Sequence, residues 1–361
     1  MNTSIHRLCL LPIFVALNWC SVQLVSAENL MIGFNRVTCQ AKSDTLVSVP
    51  FMKHPVKAAK TLAVVPTISS GQAVLTPSEA TTWTADELKD NYYVRITSGA
   101  LAGHWYDVTG NAVATLTIDL NDENGSGFAE GDTFMVVGYW TLDTLFPPVT
   151  QTTFHKSSGN LEYQQKSKIL IPNITDPGTE LPAKEVYFLT DSGWKKSAAG
   201  FPAAGNTILE PGLPFIIRHP DQVATTDFEP DGRVLRGTDS IWLEQTAADK
   251  QDNTVAVQRP VDVALSDSGL GETAFASSTS HASSDRKDEL LVFDNGAKAF
   301  NKSPSAIYYK VAQSWFKDEG KAEANAAATA DNVLSASSGL IIRKSKGTTD
   351  ISTIWNNQPT Y

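Results

Sequence analysis

The sequence predicts a mainly β protein, made of a small antiparallel β domain plus two copies of a β-repeat unit. Three observations predict this class. Two distant stretches carry the same apolar runs at the same spacing: Ile169 to Val186 matches Leu290 to Ile307, and Trp194 and Trp315 follow at equal distances. The ending Ile208–Arg218 then lies without gaps over Val333–Arg343, and both copies close on Ile-Ile-Arg. Such self-similarity means one supersecondary unit used twice. Between Tyr92 and Val137, apolar residues alternate with polar ones and Gly or Asn falls between the runs, the pattern of an antiparallel meander or barrel. Lastly, only Ala322 to Ala330 reads as helical.

Taken in order, Met1 to Ala27 has one basic residue, Arg7, an apolar segment from Leu8 to Val25, and small residues at Val25-Ser26-Ala27. This is the layout of a secretory signal peptide cleaved before Glu28. A membrane anchor needs roughly 20 clean apolar residues, and Pro12 and Asn18 interrupt the run. Cleavage removes Cys9 and Cys20 and leaves Cys39 alone, so no internal disulfide is expected; Cys39 reads as a small buried residue. The chain of 361 residues carries a formal net charge of −10 and has no basic run. That argues against nucleic acid or anionic lipid as a partner, because counterion release needs clustered Lys and Arg.

Residues 28–60 form an N-terminal strand region, in which Ser43-Asp44-Thr45-Leu46-Val47-Ser48-Val49-Pro50-Phe51 reads as a partial third copy of the opening strand. Residues 61–150 hold the meander or barrel, inserted into or appended to the first unit, with an aromatic linker from Gly138 to Pro148. Repeat unit one fills 159–237, a strand and a mobile Ser/Thr/Ala-rich loop (Gly271 to Ser284) fill 238–287, and repeat unit two fills 288–361. The residues kept in both units are β-branched and aromatic, suited to a pleated, half-buried surface. Each unit is therefore expected to have three short strands with its Trp as a core plug.

With these motifs in view, the Ser43–Phe51 run, the stretch Tyr92 to Asn111, Tyr139 to Phe146 and the Trp-then-Gly-then-Ile-Ile-Arg units resemble an uncharacterised family of secreted bacterial β-rich repeat proteins. The resemblance covers nearly the whole chain after the signal. It implies secretion and repeat organisation and transfers no activity or site. The strand unit is also similar to β modules attached to bacterial cell-surface proteins.

Catalytic signatures are missing: there is no His-Glu-x-x-His, no Cys-x-x-Cys, no Gly-x-Ser-x-Gly and no phosphate-binding loop. His54, His104, His155, His219 and His281 are scattered without ligand spacing. The triplets Asp191 to Gly193 and Asp267 to Gly269 invite an aspartic-protease reading, but unit two places Ala312-Gln313-Ser314 where unit one has the first triplet, so turns are expected. Asp119, Asn121, Glu123 and Glu130 fall at positions of a calcium-binding loop, with Gly125 one place late; Asp227, Glu229, Asp231 and Gly232 form a shorter partial match. Calcium is thus the one candidate cofactor. Trp194 and Trp315 are read as core residues, with sugar stacking as the alternative. Arg218 and Arg343 are the polar residues the repeat keeps, expected to bond loop carbonyls within each unit, with carboxylate capture as the alternative. The expectation is a secreted, non-enzymatic structural or interaction component, periplasmic or at the cell surface, whose partners are itself or other surface components. A carbohydrate-binding module is the second reading and a hydrolase the third.

Overall fold

The computed structural model describes residues 31–54, 56–271, 273–320, 326–328 and 330–359. The expected signal segment, Met1 to Ala27, lies outside the described residues. Strands dominate, and the one α-helix among the described residues is the single turn Leu142–Leu145. No described helix is long and apolar enough to cross a membrane.

Two five-stranded antiparallel sheets form the frame. Sheet one runs, edge to edge, through Gly193–Lys196, Glu185–Thr190, Lys168–Ile171, Phe215–His219 and Ser43–Val47. Sheet two runs through Ser314–Lys317, Ala306–Val311, Glu289–Val292, Leu340–Lys344 and Gln251–Val255. The orders correspond strand for strand, and so does the register: Ile169 faces Tyr187 and Ile217, while Leu290 faces Tyr308 and Ile342. A one-residue slip would turn every core side chain to solvent, so equal spacing of apolar runs fixes equal register. Each sheet closes over its own core, around Trp194, Phe146, Phe154 and Phe215 in unit one and around Trp315, Phe275, Leu340 and Trp355 in unit two.

Four sequence expectations are corrected here. Ser43–Val47 is not a third copy of the opening strand. It is the outer strand of sheet one, paired with Phe215–His219, and its counterpart in sheet two is Gln251–Val255. The segment after Gly138 is no linker, because Trp140–Thr141 pairs with Ile208–Leu209 and Phe146 enters the core of unit one. The described residues of the loop Gly271 to Ser284 are packed down. Phe275 is fully buried against Trp315, with ring centroids 4.8 Å apart, and Ser278 bridges Val311. Unit one repeats this device with Phe154 on Trp194 at 5.0 Å and Ser157 bridging Thr190. Of the expected helix Ala322 to Ala330, residues 326–328 are extended, with Ala327 bridging Phe316; the others, apart from Ala330, lie outside the described residues.

The small domain is a curled seven-stranded antiparallel sheet in the order Ala58–Thr61, Thr133–Gly138, Tyr92–Ile96, Trp105–Asn111, Leu116–Asp119, Gln72–Leu75, Thr67–Ser69. It encloses Val94, Tyr106, Leu116 and Phe134, and a bridge from Leu62 to Pro77 draws its two ends together. In the chain it is inserted in unit one, between the outer strand Ser43–Val47 and Trp140–Thr141. The matching place in unit two, between Gln251–Val255 and Val263–Ala264, has only a short connection.

Candidate functional site

The outer strand of a sheet presents unpaired N–H and C=O groups, which proteins cover or blunt. Here each unit covers the other's. The N–H of Asp44, on the outer strand of unit one, donates to Ala299 O of unit two at 2.9 Å; the N–H of Asp252, on the outer strand of unit two, donates to Gly178 O of unit one at 2.9 Å. Asn301 N–H donates to Asp44 Oδ2 at 2.7 Å, and Glu180 N–H donates to Asp252 Oδ2 at 2.9 Å. Ser48 N–H donates to Ser337 O, and Ala256 N–H donates to Gly212 O, both at 2.9 Å. The loop residues that reach across share a left-handed backbone: φ is +46° at Asn301 and +55° at Glu180, +56° at Ser337 and +76° at Gly212. These contacts form a clasp with approximate two-fold symmetry inside one chain. Its axis passes between Pro214 and Gly339, equivalent residues of the two units; a Cβ on Gly339 would lie 2.5 Å from Pro214 Cβ.

Arg218 and Arg343 lock this arrangement. Arg218 holds both carboxylate oxygens of Asp44 at 2.7 Å, and Arg343 holds those of Asp252 at 2.7 and 2.9 Å. Planar, bidentate pairing of this kind is the strong form of the interaction. In each case the partner carboxylate holds the guanidinium above its usual range. Each guanidinium also crosses to the other unit, Arg218 Nη2 donating to Asn301 Oδ1 at 2.6 Å and Arg343 Nη2 to Glu180 Oε1 at 3.5 Å. Sequence reasoning identified the two arginines and missed their carboxylates. The signal was present, since Asp44-x-x-Val47-x-Val49 and Asp252-x-x-Val255-x-Val257 share a pattern. The arginines bond side chains across strands, where loop carbonyls within each unit were expected.

The inserted domain docks on unit two through a second polar contact. Arg95 is fully buried, and its Nη2 donates to Asp239 Oδ1 at 2.6 Å and to Thr238 O at 3.1 Å, while Nη1 donates to Gln258 Oε1 at 3.2 Å. Beside it, Ser240 N–H donates to Gly103 O at 3.3 Å, and Gly103 has no room for a side chain because a Cβ would meet Ser240 Oγ at 2.6 Å. The ring of His104 stands edge-on to Trp242 at 4.9 Å.

Trp194 and Trp315 are 2% and 4% exposed, so neither offers a face to a sugar. Trp194 Nε1–H donates to Phe146 O at 3.0 Å, the partner a buried indole requires. The acidic loop does not gather as a cation site. Asp119 Oδ1 accepts the Asn121 N–H at 3.0 Å, the Glu123 carboxylate accepts Tyr106 OH at 3.0 Å beside His104, and Glu130 is exposed. Among the described residues no group of three or more His, Cys, Asp or Glu side chains is placed to hold a metal ion. Asp227 and Glu229 lie against Arg36, which donates from Nε to Glu229 Oε1 at 2.6 Å, and Thr38 Oγ1 donates to Asp227 Oδ1 at 2.9 Å. Asp191 sits in the turn of a hairpin and Asp267 in a short 3-10 helix, Leu265–Asp267. Cys39 is fully buried and its thiol is pushed up to about 12 by that burial. Of the histidines, His219 is completely buried and is lowered to about 4 by burial, with His155 adding to the effect.

Compared with known protein families, with curated proteins and with solved structures, the chain matches none at a significant level.

Proposed function

We propose that the protein is a non-enzymatic structural or interaction component that is exported by its signal segment and works in the periplasm or at the cell surface. The observation that carries this reading is where the recurring charge goes. Asp44 with Arg218 and Asp252 with Arg343 occupy equivalent places in the two units, and both pairs are spent on holding unit against unit. Removing charge from water is costly, and such pairs are better attested as devices of specificity than of stability. Here they specify which loop sits on which strand. The frame then holds the inserted domain against unit two through Arg95. That domain exposes Val64, Val65, Ile68, Val74 and Val113, apolar side chains suited to a protein partner.

The test is the mass of the chain from Glu28 onward, measured by light scattering over a range of concentrations. Assembly that grows with concentration is expected. A strictly monomeric protein that binds a defined glycan would replace this reading with that of a carbohydrate-binding module.

A further inference from the structure

We propose that unit two is an exchangeable module, and that the partner its clasp fits is unit one of a second copy of this chain. The inference rests on the self-associating reading above and names its surface.

The two halves pack as one compact body but share no sheet and no apolar core among the described residues. Among the described residues every sheet lies wholly before Leu235 or wholly after Thr238. The same is true of the cores: one contains residues from Ile241 to Trp355 only, and the other three contain residues up to Leu235 only. The halves are joined by the reciprocal loop-to-strand hydrogen bonds, the Asp–Arg pairs and the buried Arg95–Asp239 contact, with His104 on Trp242 and Pro214 and Leu46 against Gly339 as apolar contacts beside them. Interfaces within a chain resemble transient interfaces between proteins, and relative motion of the parts is the default expectation unless the interface is large and hydrophobic. The connection is exposed at Arg236 and Gly237, and a side chain added at Gly237 would meet nothing within 4 Å.

Exchange between chains reproduces each contact in trans, the inserted domain's hold on Asp239 included. The balance between closed monomer and exchanged dimer is therefore set by hinge strain and effective concentration, which is why exchange of identical elements is a low-cost route to dimers. The residues at the axis decide which pairings fit. Pro214 meets Gly339 when unit one takes unit two; a pairing of unit one with itself would set two prolines where one Cβ is already too many. Unit one to unit two is the pairing the geometry supports.

The experiment uses the full chain with Cys9, Cys20 and Cys39 replaced by alanine and the pair Val47→Cys and Ser338→Cys introduced. Val47 and Ser338 form an antiparallel bridge across the clasp, and such partners lie ~4.5–5.5 Å apart at Cα, within disulfide reach. Refolded dilute and oxidised, the chain should give the intrachain disulfide alone. Refolded concentrated, it should give covalent dimers and longer species that collapse on reduction, while chains with either cysteine alone give none. Gly339→Val in the same background should abolish both products, because its Cβ would lie 2.5 Å from Pro214 Cβ and 2.9 Å from Leu46 Cγ. Wild-type chains carrying two tags of different size, refolded together at high concentration, should give a mixed dimer, which keeps the test valid if the cysteine variants fold poorly. Disulfides that remain intrachain at every concentration, with no mixed dimer, overturn the proposal. Should light scattering still show growth in that case, exchange falls and self-association survives; should the mass also stay monomeric, both fall. Dimers from Ser338→Cys alone would instead mean that unit two pairs with itself, and would overturn the assigned pairing.

Discussion

The two units share a frame and differ in what they bury behind it. At the place next to Arg218, unit one has His219, uncharged and bonded through Nε2 to Thr226 Oγ1 at 2.8 Å. At the place next to Arg343, unit two has Lys344, whose ammonium is paired with the carboxylate of Asp288, and both side chains are almost fully buried. Opposite Trp194 stands Leu189; opposite Trp315 stands Lys310, its Nζ 4.8 Å from the indole ring centroid. Strand order, register, the aromatic plug and the clasp are held constant, while the polar interior is not. The frame is thus specified by apolar spacing and by Asp–Arg pairing, and the polar interior varies behind it: Lys344 is fully paired, whereas His219 keeps a buried Nδ1 without a partner among the described residues.

Predictions that bear on this comparison begin with the aromatic plugs. Trp194→Ala and Trp315→Ala should each cost ~3–5 kcal/mol, the range for emptying a large core position, measured by denaturant unfolding. Near-equal losses would support equivalence, whereas a loss in one unit only would break it. Next is Lys344→Met, which leaves the Asp288 carboxylate buried without its cation. Removing one partner of a buried pair costs about 3–5 kcal/mol, so the midpoint should fall sharply, and the double variant Lys344→Met/Asp288→Asn should recover part of the loss. The third prediction separates the units by pH. His219 takes up a proton at about 4 in the fold but near 6.5 when unfolded, so the unfolded chain binds the extra proton in between. Stability from this group is complete above about pH 6.5 and is lost as pH falls towards 4, by up to about 3 kcal/mol. His219→Gln should flatten that acid limb in a melting-temperature profile. A profile unchanged by the substitution would contradict the account of unit one's interior. The smallest effect is expected of Glu180→Ala. Its side chain is 82% exposed, and such pairs contribute little, so stability should shift by less than about 0.5 kcal/mol. The backbone N–H of residue 180, which does the docking, is kept.

Much of the frame was legible because apolar spacing is a local property that the chain states twice. The strands Lys168–Ile171 and Glu289–Val292, their partners and the two tryptophans could all be placed from it. The outer strand Ser43–Val47 was misplaced because an outer and an inner strand look alike in composition, and because its partner Arg218 lies beyond an inserted domain. The segment around Phe275 was read as mobile from its small polar residues, although one aromatic side chain is enough to pin it. Least visible was the clasp. Its donors and acceptors are mostly backbone groups, which every sequence supplies, and only the positive-φ loop residues and the paired Asp-x-x-Val-x-Val patterns mark it.

The most direct test of the reciprocal clasp is amide hydrogen exchange on the wild-type chain and on Gly339→Val, reading the segments Ser43 to Ser48 and Gln251 to Ala256. Outer strands lose protection when their covering loops leave, while inner strands keep theirs. One substitution in unit two should therefore speed exchange in both outer strands together and leave Lys168–Ile171 and Glu289–Val292 as slow as before. Faster exchange in one outer strand alone, or spread through the inner strands, would contradict a two-way clasp between units that each keep their own core.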